Sequence, residues 1–492
     1  MNDPPAGLPA RQAGERPLSA VVKDPPAQPL RSRGAHAGRA LARWAPVLAG
    51  VCTLVLLAAT LEIVLDGAAG HSPLIPKSPS IAGWLGGVGE RLGFRVFLIA
   101  LLSYTAAYAG LLALARTLSA RWAIALVSAL SLIVFAGPVL ISTDVFSYIA
   151  YARMGAVHGV NPYLHGPQAI VTDPIYHYVG HDWKLVATAY GPLYTLISYP
   201  LGLLGVVGAV WGMKLMALLA AAGTLALTWR CAPVRGLDRR FALLAVGANP
   251  LWVIYALGGA HNDLVMIFLT MLAVALTLVG ARALWRRRSL VAGADGGASA
   301  AGTGTGAVGV HNEAGAGAAI MAGTLVKATG FVALPFLLIA RRRLAPLLGA
   351  AAVAVAVAFV AYLVFGIHGI DIVAALNRDS AFVSTDSFPT EIAHLLGKPG
   401  VFPIDHDLLK ILLVAIVLHL LWRTWRGYDW VAASGWTFLA IAVTSTWLLA
   451  WYTLWSLPLA AVSRDRRLLV ATLAVQGLFI AHQTAPLWAP VS

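Results

Sequence analysis

The feature that most constrains this chain is a succession of apolar runs, each close to the thickness of a bilayer, separated by short clusters of arginine. Runs near 45–65, 96–115, 122–142, 209–229, 344–365 and 468–483 carry few or no charges, and a membrane-crossing helix needs about 20 such residues. The whole chain is 59% hydrophobic and only 11% charged, against about 25% charged in a soluble domain. The predicted fold class is therefore an all-α polytopic integral membrane protein. It would have about 11–13 transmembrane helices, some re-entrant or interfacial, and two larger outer loops.

The net charge of +14 excludes nothing by itself, but its distribution does. Arginines sit between apolar runs, the positive-inside pattern of cytoplasmic loops. That predicts a multi-pass protein of the cell membrane with its N-terminus in the cytoplasm, and no nucleic acid as partner. The two cysteines, Cys52 and Cys231, lie in or beside predicted spans and show no metal-binding spacing.

Charge parity organises the rest. Residues 1–42, rich in Pro, Ala, Gly and Arg, read as a disordered basic cytoplasmic tail. Residues 43–484 form the transmembrane domain, and 485–492 a short C-terminal tail. Residues 143–190 are a first large outer loop with an interfacial helix, and 366–405 a second outer loop. Residues 289–317, almost all Gly, Ala, Ser and Thr, read as a flexible cytoplasmic linker. If Pro192–Val206 crossed the membrane, the next span would deliver Arg230, Arg235, Arg239 and Arg240 to the outside, so this segment is expected to be interfacial or re-entrant. By the same argument 318–340 should be two short segments hinged near Gly330.

Acidic residues are scarce, so their positions carry information. Asp144 follows an apolar run directly, and Asp144, Tyr148 and Tyr151 stand at i, i+4 and i+7, on one helical face. Asp144 has two compatible readings: a helix N-cap, or a general base at the membrane boundary. His261-Asn262-Asp263 follows Gly258-Gly259, where backbone approaches closely; it too reads either as a cap or as part of a site. Carboxylates and aromatic faces together suit a sugar. Asp173 and Asp182 are further carboxylates of the first loop. His158, His165, His177 and His181 fit no zinc spacing, and His261 with Asp263 lacks a third ligand, so the spacing leaves a divalent metal unsupported but open. Lys327 lies in an apolar segment, where it either snorkels or meets a phosphate. Arg153 is a second phosphate candidate. Trp447, Trp451, Tyr452 and Trp455 read first as an interfacial aromatic belt.

Several of these stretches carry a resemblance. Asp144-Val145-Phe146-Ser147-Tyr148, Tyr151-Ala152-Arg153 and His158-Gly159-Val160-Asn161-Pro162-Tyr163 resemble the first-loop signature of actinobacterial polyprenol-phosphomannose-dependent α-1,6-mannosyltransferases, of the GT-C class. Ala189-Tyr190-Gly191-Pro192-Leu193, Gly258–Asp263, Leu325-Val326-Lys327-Ala328 and Trp451-Tyr452-Thr453-Leu454-Trp455 follow in the family's order. One departure is Ala450-Trp451-Tyr452, where the family has Pro-Trp-Tyr. The resemblance implies an inverting enzyme on the outer face. It would move mannose from a polyprenyl-phosphate mannose donor to a mannan or lipoglycan acceptor, with Asp144 catalytic; the lipid-linked sugar is a substrate, so no cofactor is called for. Substrate would be met by Tyr148, Tyr151, Arg153, Asn161, Tyr163, Tyr190, His261, Asn262, Asp263, Lys327, Trp451 and Tyr452. Glycan, lipid-linked donor and membrane lipid are the implied partners. No phosphate-cradling glycine loop is present, which argues against a nucleotide-sugar donor. The rival is a transporter or flippase of lipid-linked sugars, which would be expected to show repeat symmetry and charges at the midplane of its spans.

Overall fold

A computed structural model describes residues 32–69, 84, 88, 93–294, 302–370 and 383–487. The chain divides after Ala45. Of the first unit the described part is the opening of α1 (Ser32–Ala68). Residues 1–31 of the expected tail lie outside the described residues, whereas 32–42 are helical rather than irregular.

Among the described residues there is no strand. In chain order the helices are α2 (Phe94–Leu114), α3 (Ala120–Ala136), α4 (Asp144–Ala156), α5 (Pro192–Gly202), α6 (Gly205–Val234) and α7 (Arg239–Gly247). They continue with α8 (Asp263–Ala294), α9 (Gly302–Val326), α10 (Ala333–Arg341) and α11 (Ala345–Phe365). Helices Phe388–Leu395, Pro403–Trp425, Trp430–Thr444, Leu457–Val462 and Arg466–Thr484 complete the series. Five helical stretches are long and apolar enough to cross a membrane: Trp44–Ala68, Phe94–Thr117, Gly205–Val234, Ala345–His368 and Arg466–Leu487. A bent pair, Arg239–Gly247 with Leu251–Leu257, would be a sixth. The chain is an all-α polytopic membrane protein. Four shorter apolar helices, Ala120–Ala136, Asp263–Leu278, Ala328–Arg341 and Trp430–Thr444, bring the candidates among the described residues to ten at most, against the expected eleven to thirteen.

Local chemistry explains the breaks. Pro192 opens α5 at a position where a missing N–H costs nothing. At eleven residues α5 is about 16 Å long, too short to cross, in line with the interfacial reading. The pair Arg239–Gly247 and Leu251–Leu257 bends by 46° at Asn249-Pro250, because proline removes a helical hydrogen bond. Asn249 repairs the gap: its Oδ1 accepts from the Leu251 N–H at 3.0 Å and its Nδ2 donates to Gln476 Oε1 at 2.8 Å. Beyond the bend, Leu251–Leu257 is π-helical, a form that recurs at functional sites.

The linker expectation for 289–317 is corrected. Residues 289–294 continue α8, and 302–317 belong to α9; 295–301 lie outside the described residues. The Gly/Ala composition serves close packing instead. A Cβ on Gly317 would meet Pro346 O at 1.8 Å, and one on Gly349 would meet Ala314 O at 1.9 Å, so α9 and α11 touch backbone to backbone. Small residues at membrane helix interfaces do this routinely. The expected hinge near Gly330 falls three residues earlier: α9 ends at Val326, Lys327 is extended, and a 3-10 turn (Ala328–Val332) leads to α10. Gly330 is where that turn folds back on α9, with its Cβ position 2.8 Å from Gly323 C.

Candidate active site

Four separate segments meet at one place: the start of α4, the turn before α8, the break after α9, and the 3-10 turn Ala450–Leu454. Glycines make the meeting close. A Cβ on Gly258 would lie 3.0 Å from Leu140 Cβ, and Leu140 N–H donates to Gly258 O at 2.8 Å, joining the approach to Asp144 with the approach to His261. Gly191 N–H donates to Val326 O at 3.1 Å, and a Cβ there would meet Leu325 O at 2.1 Å. The Ala189–Leu193 stretch is thus laid directly against the residue before Lys327. Two non-glycine residues with positive φ flank the site, Ile141 (65°) and Ala260 (52°). Such strain persists only where surrounding structure enforces it, and it gathers at functional sites.

Asp144 does not act as the cap. Thr143 is the N-cap of α4 and Asp144 the first helical residue, with no side-chain capping bond. Its carboxylate instead faces His261, Oδ2 lying 3.5 Å from Nδ1. Burial pushes the Asp144 carboxyl up to about 6; Lys327 opposes the rise, Asp263 adds to it, and Ser142 offers one stabilising hydrogen bond. A group poised near neutrality can take a proton and give it up again. His261 is fully buried and held well below its usual range, first by burial and then by Lys327, so it is neutral. Its ring stacks on Trp451 at 3.5 Å, and Tyr148 Oη stands 3.4 Å from both His261 Nδ1 and Asn262 Oδ1. Tyr190 packs edge-on to Tyr148 at 4.8 Å. His261 Nε2 and Asn262 Nδ2 are buried without a hydrogen-bond partner among the described residues. Each such group costs about 1–3 kcal/mol.

Asp263 has the opposite character. It opens α8, is buried, and takes Lys327 Nζ at 2.9 and 3.1 Å and the Trp455 indole N–H at 2.5 Å. The ammonium also lies 4.4 Å from the Tyr452 ring centroid and 5.2 Å from that of Trp455, and these two rings stack at 4.4 Å. Lys327 therefore neither snorkels to an interface nor stands alone; it is caged by a carboxylate and two aromatic faces. Together Asp144, Asp263 and Lys327 put one cation among two carboxylates, at the N-termini of two helices whose dipoles favour negative charge.

The structure gathers Asp144, Tyr148, Tyr190, His261, Asn262, Asp263, Lys327, Trp451 and Tyr452. The other four candidates support the 143–190 segment. The Tyr151 hydroxyl donates to Val186 O at 2.9 Å. Arg153 forks onto Asp173 through Nε and Nη2 at 2.8–3.0 Å and donates from Nη1 to Gly202 O at 2.8 Å, which ties α4 to the loop. Asn161 Nδ2 donates to Phe365 O at 2.7 Å, and the Tyr163 hydroxyl to Tyr190 O at 3.0 Å. Trp455, expected in an interfacial aromatic belt, instead holds Asp263 through its indole N–H. The signal was its spacing, since Tyr452 and Trp455 at i and i+3 eclipse on a 3-10 turn. Among the described residues no group of three potential ligands could hold a metal.

Comparison with known proteins agrees on one family. The profile described as "Alpha-(1->6)-mannopyranosyltransferase, N-terminal domain" matches residues 47–343, and the MptB C-terminal domain matches 407–486. The chain is 28% identical over 444 residues to alpha-(1->6)-mannopyranosyltransferase A of Mycobacterium tuberculosis, covering 82% of this chain and 77% of that protein. It is 30% identical over 203 residues to the enzyme of the same name from Corynebacterium glutamicum, covering 40% and 39% of the two chains. No solved structure matches.

Proposed function

The chain belongs to the alpha-(1->6)-mannopyranosyltransferase family, and from that premise we propose that it transfers mannose from a polyprenyl-phosphate mannose to a mannan or lipoglycan acceptor on the outer face of the cell membrane, forming α-1,6 linkages with inversion. The observation that carries this reading is the contrast within the site: one poised carboxylate, Asp144, beside one carboxylate already saturated, Asp263.

In the proposed step Asp144 accepts the proton of the acceptor hydroxyl. The hydroxyl oxygen bonds to the anomeric carbon, the bond from that carbon to phosphate breaks, and the electron pair leaves with polyprenyl phosphate. Negative charge is relocated from Asp144 to the leaving phosphate. The site's charge is unchanged, and Lys327, which already acts on Asp144, would meet the charge that leaves. The remaining Lys327 N–H and the N-termini of α4 and α8 favour an anion there. Single carboxylate catalysis suits a phosphate leaving group, which needs no protonating acid; a glycosidase needs two carboxylates for a poorer one. Tyr148, Tyr190 and Trp451 offer faces for the apolar side of a pyranose. Arginines at the opposite helix ends orient the protein with its N-terminus in the cytoplasm.

Single-turnover assay of the purified protein in detergent, with polyprenyl-phosphate mannose and a short α-1,6-mannoside, tests the reading. An elongated mannoside is expected. Absence of product from a well-folded preparation would favour the flippase, which has no work to do without a bilayer.

A further inference from the structure

At the other end of α8 lies a second polar cavity, unrelated to mannosyl transfer. Leu278 lines it, and Asp263 lies at the site. The fifteen residues between (278 minus 263) put the two about 22 Å apart along the helix. The cavity holds about 530 Å³. Four arginines from three distant stretches line it: Arg235 after α6, Arg341 at the end of α10 with Arg342 just beyond, and Arg464 after Leu457–Val462. Among the described lining residues the only carboxylate is Asp429.

The four lining arginines and the adjacent Arg343 have two carboxylates near them, Asp429 and Glu313, the latter 3.5 Å from Arg343 and acting on Arg341, so the cluster keeps an excess of cations. Arg235 forks onto Asp429 at 2.6 and 3.1 Å, which cancels one charge. The other lining arginines hydrogen-bond neutral carbonyls: Arg341 to Thr277 O at 3.2 Å, Arg342 to Trp425 O at 2.8 Å, and Arg464 to Arg235 O at 3.2 Å. Carbonyls orient a guanidinium without neutralising it. Nε of both Arg235 and Arg341 is buried with no partner. Arg342 sits at φ 51°, a left-handed conformation that costs a non-glycine residue about 1–2 kcal/mol and that turns two successive arginines into the same cavity. Guanidinium groups that outnumber their carboxylate neighbours, converging on a volume of that size, fit a phosphate, which takes the planar fork in two parallel bonds. Trp422 and Trp425 stand exposed at the same end, in the manner of interfacial tryptophans.

From these observations we infer that the Arg235–Arg341–Arg342–Arg464 cavity is a binding site for a phosphate-bearing anion. The same chemistry can be supplied by the headgroup of an anionic phospholipid or by a soluble phosphate; the basic rim at a helix-end interface, with tryptophans beside it, favours the headgroup.

The test uses the full-length protein in neutral detergent. Native mass spectrometry follows titration with phosphatidylglycerol, phosphatidylcholine or inorganic pyrophosphate. Wild type should bind phosphatidylglycerol about tenfold more tightly than phosphatidylcholine, a ratio worth one charge-assisted contact. Arg341→Gln/Arg342→Gln should abolish that preference, and Arg464→Gln should reduce it. Arg121→Gln, an exposed arginine outside the cavity, should leave it intact. If the glutamine variants fail to fold, Arg341→Lys/Arg342→Lys keeps charge without the fork and should retain part of the preference. Displacement of phosphatidylglycerol by pyrophosphate, or binding of pyrophosphate alone, identifies a site that also takes, or takes only, a soluble phosphate. The inference is overturned if neither probe binds better than phosphatidylcholine, or if Arg121→Gln loses as much affinity as the cavity variants.

Discussion

Asp144 and Asp173 stand in the same segment of the chain and end in opposite states. Asp173 is buried, yet Arg153, His158 and the Ile175 N–H all donate to it; burial pushes it up, and these bonds overcome that and hold it at about 2. Asp144, half-buried, has no such arginine fork: burial carries it up to about 6, Lys327 and a Ser142 hydrogen bond oppose the rise, and Asp263 adds to it. The difference shows what separates a structural carboxylate from a chemical one in this fold. Saturation with donors fixes charge and geometry. Withholding donors leaves a group whose proton can move.

The largest effect expected from breaking this contrast is at Asp144. Asp144→Asn keeps the shape, and, since Asp144 makes no capping bond, it disturbs no cap; transfer should fall about 10²–10⁴-fold while thermal unfolding stays near wild type. Transfer close to the wild-type rate would move the base elsewhere.

Lys327→Met comes next. It leaves Asp263 buried and unpaired, and breaking such a pair costs about 3–5 kcal/mol. A marked drop in thermal stability is expected, with partial recovery in the double variant Lys327→Met/Asp263→Asn. No recovery would mean that the two do not act as a pair.

Asp173→Asn should be milder. A carboxyl lowered from 3.8 to about 2 contributes about 2 kcal/mol at neutral pH. That stability is present above the unfolded value and is lost as pH falls through the folded one, between about 4 and 2. The variant should therefore unfold more easily than wild type at pH 7 and equally easily near pH 2. Its transfer rate, where it folds, should keep the wild-type dependence on pH, because Asp173 is not the base. A changed pH dependence would erase the distinction between the two carboxylates.

Much of this was legible in the sequence, and the failures have physical causes. Apolar length gave the all-α membrane fold, since a bilayer leaves few alternatives. The motifs around Asp144, His261–Asp263, Lys327 and Trp451-Tyr452 proved to be neighbours, because Gly191 and Gly258 let their backbones touch. Two things were hidden. The Gly/Ala stretch of α9 looks like a linker until a partner helix with its own Gly349 is in view. Arg153 shows no carboxylate partner until Asp173, twenty residues on, is seen to meet it. Pairings between distant residues have no signature in a single sequence, so a charged residue's partner was the least readable quantity.

The central claim is that Asp144 takes the acceptor's proton, and the pH dependence of single-turnover transfer tests it most directly. In wild type the rate should be constant above about pH 7 and fall tenfold per unit below about 6, as one carboxylate protonates. In Asp144→Asn the residual rate should lose that limb and run flat through the same range. A wild-type rate unchanged from pH 7 to pH 5, or an Asp144→Asn variant that keeps the acid limb, would contradict the account.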